Sequence, residues 1–239
     1  EITFAQQGDL MFICHPTFQT RILERTGLTT FAVSTFSFDT SRDGDIIFQP
    51  YFAFQSLGTT ITAQATSGTG KTLTTSADYW VSGHVGTDIL IGKTRCRITG
   101  YTSATVVTAT INGTLHQQLP IDSIKVFEGS GTVQVTNALH GLATGGSVTL
   151  ERCGAVGGIA QGNLNGARTI TAVIDENTYE FTAGSSATAT SSAIGGGSPR
   201  VVTNAATTEW YEQSYSAIRG YPAAVTFHQN RLWFGGTYC

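Results

Sequence analysis

The chain has 239 residues, of which 12% are charged and 40% are hydrophobic, and its formal net charge is -3 at pH 7. This composition is too apolar for a disordered chain, and it provides neither a basic surface for gripping nucleic acid nor a polybasic membrane anchor. The apolar runs are a few residues long, far short of the roughly 20 residues that span a bilayer. The chain is also poor in Glu, Lys, Leu and Met, which disfavours a helical protein.

Strand-forming segments follow one another along the chain, separated by short turns of Gly, Asn, Asp or Ser. This spacing is typical of a sandwich, a barrel or a propeller. The predicted strands are Leu10–Ile13, Phe31–Phe38, Thr105–Ile111, Gly131–Thr136, Ser147–Leu150, Arg168–Ile174 and Thr178–Thr182. Helical periodicity is weak, and we expect one short helix near Ala77–Trp80. The sequence therefore predicts an all-β fold.

Composition divides the chain into four stretches. Residues 1–55 are rich in Phe, residues 56–128 in Thr, and residues 129–190 in Gly, Thr and Val. Residues 191–239 begin within a low-complexity stretch, Gly184–Ser198, that is typical of a flexible edge or linker, and then become aromatic again. Because the first and last stretches match, we predict one β-domain interrupted by two small inserted β-barrel or sandwich domains.

The two ends of the sequence are abrupt. Glu1 is preceded by neither an initiator Met nor a basic leader, and Cys239 closes what reads as the start of a hairpin. We therefore expect the chain to be a piece of a longer polypeptide.

The four cysteines are widely spaced and form no CxxC pair, so neither a zinc site nor a redox pair is predicted. They are Cys14, Cys96, Cys153 and Cys239. A chain of this length can build its core without a disulfide framework. We interpret them as buried or half-buried free thiols in a protein assembled in a reducing cytoplasm.

The segment Ala65–Thr72 resembles a loosened phosphate-binding loop, with Ala65 in place of the first glycine. A phosphate loop needs a buried strand before it and a helix after it, so that backbone N–H groups face the phosphates. The flanking residues are mostly threonines and predict neither element. We therefore interpret the match as a chance product of a Gly/Thr-rich sequence.

The histidines show no metal-ligand spacing. They are His15, His84, His116, His140 and His228. Cys14 and His15 are adjacent, but neighbouring residues of a strand point to opposite faces and cannot form a nucleophile–base pair. The sequence predicts turn or surface histidines.

The carboxylates Asp39, Asp43 and Asp45 faintly suggest a calcium loop or a glycosidase pair. The twelfth position of a calcium loop requires Glu, and here it is Pro50. The separation of a glycosidase pair is set by the tertiary fold, so a solvated polar turn is the preferred interpretation. Asn112–Thr114 matches a glycosylation sequon, but Asn-Gly between Thr-rich strands favours a hairpin turn. We predict no catalytic, cofactor or metal site, and hence no enzyme.

Two segments resemble blades of the bacteriophage tail nozzle (tail tubular B-type) proteins. Residues 219–237 follow the pattern GYP-x-x-V-x-F-x-x-x-RL-x-F-x-G-T. Residues 5–27 follow a second blade pattern, with Gly8-Asp9 before a strand, His15-Pro16 after it and Arg25-x-Gly27 at its close. Thr20 stands where that pattern often has Pro. The resemblance implies a partial β-propeller.

The middle of the chain resembles two small domains inserted in such proteins. Residues 78–86 and 97–110 are similar to an inserted β-domain containing the pattern I-T-x-Y-T-S-A-T-x-V-T. Residues 135–148 and 164–181 are similar to the FCCH-type β-barrel, a common decoration of phage proteins that carries no adenylation chemistry.

The resemblance implies a structural protein of a short-tailed phage, assembled in the host cytoplasm. It implies a homo-oligomeric ring, a hexamer in that family, which contacts portal, adaptor and tail-fibre proteins and lets DNA pass without holding it. It implies no small-molecule substrate and no membrane anchor. Two alternatives remain open: an adhesin fragment, and a glycan-binding or glycan-cleaving module that stacks sugars on Trp80, Trp210 or Trp233.

Overall fold

The computed structural model describes residues 1–39, 42–43, 46–47, 49–189 and 192–236, with backbone alone for 42–43 and 46–47. The first twelve strands are β1 (Thr3–Gln7), β2 (Leu10–His15), β3 (Phe18–Arg25), β4 (Phe31–Thr35), β5 (Arg42–Asp43), β6 (Ile46–Ile47), β7 (Tyr51–Phe52), β8 (Ile61–Ala63), β9 (Gly68–Thr75), β10 (Asp88–Ile91), β11 (Thr94–Ser103) and β12 (Val106–Asn112). The remaining strands are β13 (His116–Gln118), β14 (Ile124–Val126), β15 (Thr132–Thr136), β16 (Ser147–Glu151), β17 (Gly166–Asp175), β18 (Thr178–Thr182), β19 (Ala193–Gly195), β20 (Arg200–Val202), β21 (Trp210–Gln213), β22 (Ala224–His228) and β23 (Arg231–Gly235). A 3-10 turn at Ser82–His84 and helix α1 (Gln161–Leu164) complete the described elements.

The all-β prediction is confirmed, and every predicted strand overlaps an observed one. The helix expected near Ala77–Trp80 is wrong. The backbone N–H groups of Tyr79 and Trp80 both donate to the carbonyl of Ala104, at 2.8 and 2.9 Å, which ties this segment to the residues before β12 instead of to its own preceding turn. Within the described residues, no helix has the length and apolar character needed to cross a membrane.

The chain folds into two compact units. Unit 1 comprises residues 1–64, 68–112 and 206–239, and unit 2 comprises residues 65–67 and 113–205. The chain thus leaves unit 1 after Asn112 and comes back to it at Ala206. The hairpin turn predicted at Asn112-Gly113 is wrong, because β12 pairs with β9 and β11 while β13 pairs with β20.

Unit 1 contains two large antiparallel sheets. The first is a four-stranded meander in the order β1-β2-β3-β4, and the second is a seven-stranded sheet in the order β7-β21-β10-β11-β12-β9-β8. All four residues of β10 are buried, as expected for a central strand. The hairpins β5–β6 and β22–β23 pair separately.

One face of the meander is covered by the β22–β23 hairpin through an aromatic cluster. The cluster consists of Phe12, Phe36, Phe38, Phe227 and Phe234. The Phe12 ring centroid lies 5.9 Å from that of Phe227, and the Phe36 centroid lies 5.0 Å from that of Phe234. Phe12 and Phe227 meet edge to face, a favourable geometry for aromatic rings. This cluster joins the beginning and the end of the chain within unit 1.

The opposite face of the meander, which we call the open face, carries apolar side chains that the described residues of unit 1 do not cover fully. Strand register places Phe4, Met11, Ile13, Leu23, Phe31 and Val33 on it. Phe4, Phe31 and Val33 are 65%, 62% and 69% exposed. An apolar patch of this kind on a sheet usually marks an interaction surface.

Unit 2 is an eight-stranded antiparallel sheet in the order β13-β20-β16-β17-β18-β15-β14-β19. Leu150 of β16, Val133 of β15 and Phe181 of β18 all belong to one buried core, so the sheet folds over on itself around shared side chains. Two register shifts in the long strand β17 provide the bend. No pairing among the described strands closes the sheet into a barrel. The stretch predicted to be an edge or linker supplies the edge strand β19, which pairs with β14.

We predict that Leu150→Ala destabilises the chain by about 3 kcal/mol, because Leu150 is completely buried and truncation leaves a cavity. The matched change Ile121→Ala removes a side chain that is 76% exposed and should cost under about 0.5 kcal/mol. Urea unfolding followed by circular dichroism measures both. Equal losses for the two variants would contradict the assignment of this core.

Candidate functional site

A buried charged network lies inside unit 1. Glu212 of β21 is fully buried, and its carboxylate accepts hydrogen bonds from the Arg219 guanidinium, with Arg219 Nη2 at 2.6 Å from Oε2, and from the Tyr79 hydroxyl. His84 Nε2 lies 3.4 Å from the same carboxylate oxygen, a long contact. Arg219 also stacks over the ring of Phe54, at 4.2 Å from its centroid. The network therefore joins three separate stretches of unit 1.

The network sets the ionisation of Glu212. Burial by itself raises the pKa of this carboxyl, but hydrogen bonds from His84, Arg219 and Tyr79 and the charge of Arg219 outweigh burial and leave the pKa below its ordinary value. Burial and the neighbouring Glu212 charge raise the pKa of Tyr79. Glu212 is therefore a carboxylate and Tyr79 a neutral donor near pH 7, which suits a structural ion pair better than proton transfer.

A cleft of about 330 Å³ lies close to this network, also within unit 1. Its aromatic lining consists of Phe36, Phe38, Tyr215 and Tyr221. Its polar lining includes Gln19, Gln49, Gln213, Ser216, Asp88 and Arg97. A concave site of this size with a few polar groups is typical of small-molecule binding.

Asp88 organises the charged side of the cleft. It is 1% exposed, and its carboxylate lies between Arg95 Nε at 3.1 Å and Arg97 Nη1 at 3.2 Å. Strand pairing causes this arrangement, since Asp88 of β10 is directly opposite Arg97 of β11 and Arg95 lies two residues along the same face. The Arg97 side chain remains 44% exposed and lines the cleft.

The residues of the phosphate-loop match lead into a strand and not into a helix. Residues 68–72 belong to strand β9, which pairs with β8 and β12. The backbone N–H groups needed to cradle a phosphate are thus partly used by the sheet.

The predicted histidine and carboxylate candidates do not come together as a site. His84 is in the buried network, His15 stacks on Phe18 at 5.2 Å, and His140 contacts Tyr179 at 5.1 Å. Asp39 is exposed, while Asp45 and the side chain of Asp43 lie outside the described residues. In the part of the chain that the structure describes, no three His, Cys, Asp or Glu side chains form a metal-binding group.

Three of the four cysteines are buried free thiols, as predicted. Cys14 Sγ lies 3.4 Å from Thr20 Oγ1, on the side of β2 away from His15. Burial raises the pKa of Cys153 to about 11, and burial followed by the nearby Asp88 raises that of Cys96 to about 12, so neither is a thiolate at neutral pH. Cys239 lies outside the described residues.

Two of the three tryptophans proposed for sugar stacking are core residues. Trp80 and Trp210 are 1% and 0% exposed, and their ring centroids are 5.8 Å apart. The indole N–H of Trp210 donates to the carbonyl of Thr59 at 3.0 Å. Trp233 is 52% exposed and lies in β23, apart from this pair. They therefore do not form a shared exposed groove.

Sequence reasoning missed both the buried network and the cleft. Glu212, Arg219 and Tyr79 are separated by up to 140 residues, and no local motif joins them. The one sequence signal was the carboxylate that directly follows the aromatic residues Trp210 and Tyr211, since a charged residue is rarely buried without a partner.

No protein-family model and no curated protein matches the chain. Among solved structures, the chain is similar to one titled "Phage phi92 endosialidase", with a TM-score of 0.30 and 12% sequence identity. The match covers 97% of this chain and 42% of that chain, so the present chain spans less than half of that protein. At this TM-score neither fold nor activity carries over.

We predict that Glu212→Gln lowers the free energy of unfolding by about 2 kcal/mol or more at pH 7, because the amide removes the buried negative charge that pairs with Arg219. Breaking a fully buried pair costs about 3–5 kcal/mol, and the loss is smaller here because the Arg219 side chain is 20% exposed. Since the folded pKa of Glu212 is lowered, its stabilisation is present above the unfolded pKa of about 4.3 and disappears as pH falls through the folded value. The difference between wild type and variant should therefore shrink in acid.

Glu151→Gln is the matched control for this experiment. Glu151 pairs with Arg200 at 2.6 Å, but both side chains are partly exposed, at 35% and 23%, so the same change should cost under about 1 kcal/mol. Urea unfolding of the three proteins at pH 7 and pH 3.5 measures the effect. A Glu212→Gln loss no larger than that of the control would refute the structural role of the network.

Proposed function

We propose that this chain is a structural component of a short-tailed phage tail, of the nozzle type, whose β1–β4 meander is one blade of a propeller. The observation that carries the proposal is the packing of the β22–β23 hairpin on one face of the meander, while an apolar face remains open on the other. This is the arrangement expected when similar sheets stack face to face in series.

Strand geometry supports a serial stack. The β1–β2 and β22–β23 hairpins have two-residue turns, Gly8-Asp9 and Gln229-Asn230. When the turns are aligned, Val225, Phe227, Leu232 and Phe234 correspond in order to Phe4, Gln6, Met11 and Ile13. The residues of the β22–β23 hairpin in this comparison face the meander through the aromatic cluster. The residues of the β1–β2 hairpin lie on the side of the open face.

The correspondence between the two hairpins indicates what kind of surface covers the open face. We propose that it is the aromatic face of another four-stranded meander of the same kind, in the same tail assembly. A sheet with its edges and faces covered resists aggregation at the high local concentration of a particle.

The low net charge of the chain suits the wall of a channel through which DNA passes. A net charge of -3 provides few of the Lys and Arg contacts through which proteins hold the phosphate backbone. Ring formation, contacts with portal, adaptor and fibre proteins, and assembly in the host cytoplasm belong to the same proposal and rest on the sequence resemblance.

We predict that this chain is found in the tail of phage particles that encode it. Electron cryomicroscopy of such particles should place unit 1 and unit 2 in density around the tail channel, in several symmetric copies. Density for the chain in the capsid alone, or at fibre tips alone, would contradict the nozzle role, and the fibre-tip position would favour the glycan-binding alternative.

A further inference from the structure

A charged group at the cleft of unit 1 has a surplus positive charge that the proposed tail role does not require. Asp88 contributes one negative charge, and Arg95 and Arg97 beside it contribute two positive charges. The group of three is therefore positive by one charge, in a chain whose overall charge is -3. Asp88 and Arg97 are the only charged side chains among the described residues lining the cleft, and Arg95 supplies the second positive charge from outside that lining. An anionic group is the natural counterpart of this surplus.

Arg97 is held in place for such a group. Its Nη1 lies 3.2 Å from Oδ1 of the buried Asp88 carboxylate, an ion-pair distance, and its Nη2 lies beside Gly86. A Cβ at Gly86 would be 3.8 Å from that nitrogen, and the φ of +90° there favours glycine. An ion pair that restricts the guanidinium beforehand lowers the entropic cost of binding a carboxylate.

The rest of the cleft suits a hydroxylated ring better than a bare anion. The carboxamide oxygen of Gln49 is buried and accepts no hydrogen bond from the described residues, so a hydroxyl donor would satisfy it. The amide nitrogen of the same side chain donates to Gln213 Oε1 at 3.0 Å, which orients that oxygen. Phe36, Tyr215 and Tyr221 supply apolar surface beside these polar groups.

We propose that this cleft binds a pyranose sugar that carries a carboxylate, as a hexuronic acid does. The Arg97 guanidinium pairs with the carboxylate, a ring hydroxyl donates to Gln49 Oε1, and the aromatic side chains contact the apolar face of the ring. The site requires neither catalysis nor the tail role, and it gives the chain a way to contact acidic polysaccharide.

Ligand selectivity tests the proposal on the unmodified chain. Titrations of the full chain with glucuronic acid, glucose and sodium acetate, followed by changes in protein NMR chemical shifts, compare an acidic sugar, a neutral sugar and a carboxylate without a ring. We expect saturable binding of glucuronic acid, at least about tenfold tighter than either other compound, because each of them lacks one of the two recognition elements.

Two variants locate the site. Arg97→Gln should weaken glucuronic acid binding by about tenfold or more, while Asp88 keeps its pair with Arg95 and so preserves the fold. Arg97→Lys keeps the charge but loses the planar fork, and an intermediate loss is expected. Arg231→Gln removes an exposed arginine of β23 outside the cleft and should leave binding unchanged. Circular dichroism confirms that each variant is folded.

Three results would overturn the proposal. The first is no saturable binding of glucuronic acid by the wild-type chain. The second is equal affinity for glucuronic acid and acetate, or for glucuronic acid and glucose. The third is the same affinity for glucuronic acid in folded Arg97→Gln and in Arg231→Gln. Failure here would leave the tail proposal intact, because particle imaging tests that role separately.

Discussion

Unit 1 depends on the return of the chain to its seven-stranded sheet, where β21 pairs with β10 and also holds the edge strand β7. After leaving at Asn112, the chain comes back at Ala206, and β21 must then lie between β7 and β10. Trp210 and Glu212 make this possible, since both are fully buried: the indole fills the core beside Trp80, and the carboxylate accepts hydrogen bonds from Arg219 and Tyr79. A buried carboxylate without these partners would cost several kcal/mol, so strand insertion and ion pairing stabilise each other.

The second constraint is that a sheet has two faces. The aromatic cluster covers one face of the meander, and the strands that carry it come from both ends of the described chain. The open face keeps three large apolar side chains exposed, more than a sheet that simply faces water needs. The proposed tail role accounts for this open face by making the meander one segment of a stack.

Much of the fold could be predicted from local pattern. Val133 and Val135 alternate with polar residues and form β15, and Thr178–Thr182 forms β18 as its β-branched and aromatic content predicts. The helix near Ala77–Trp80 was wrong because the contact that decides this segment, with Ala104, lies more than 20 residues away. The Asn-Gly turn was wrong because the same dipeptide that favours a hairpin here lies where the chain passes from one unit to the other. The Glu212 network and the cleft depend on tertiary contacts alone, so composition and spacing could not indicate them.

Solvent access to the open face tests the central claim most directly. Val33→Cys, made in a chain that also carries Cys239→Ser, places one thiol on this face, since Cys14, Cys96 and Cys153 are buried. Leu57→Cys, in a fully exposed position, serves as the matched control. We predict that a maleimide labels both thiols in the isolated chain but labels only the Leu57→Cys thiol in intact phage particles. Rapid labelling of Val33→Cys in the particle would contradict the account, because the face would then be open in the assembly.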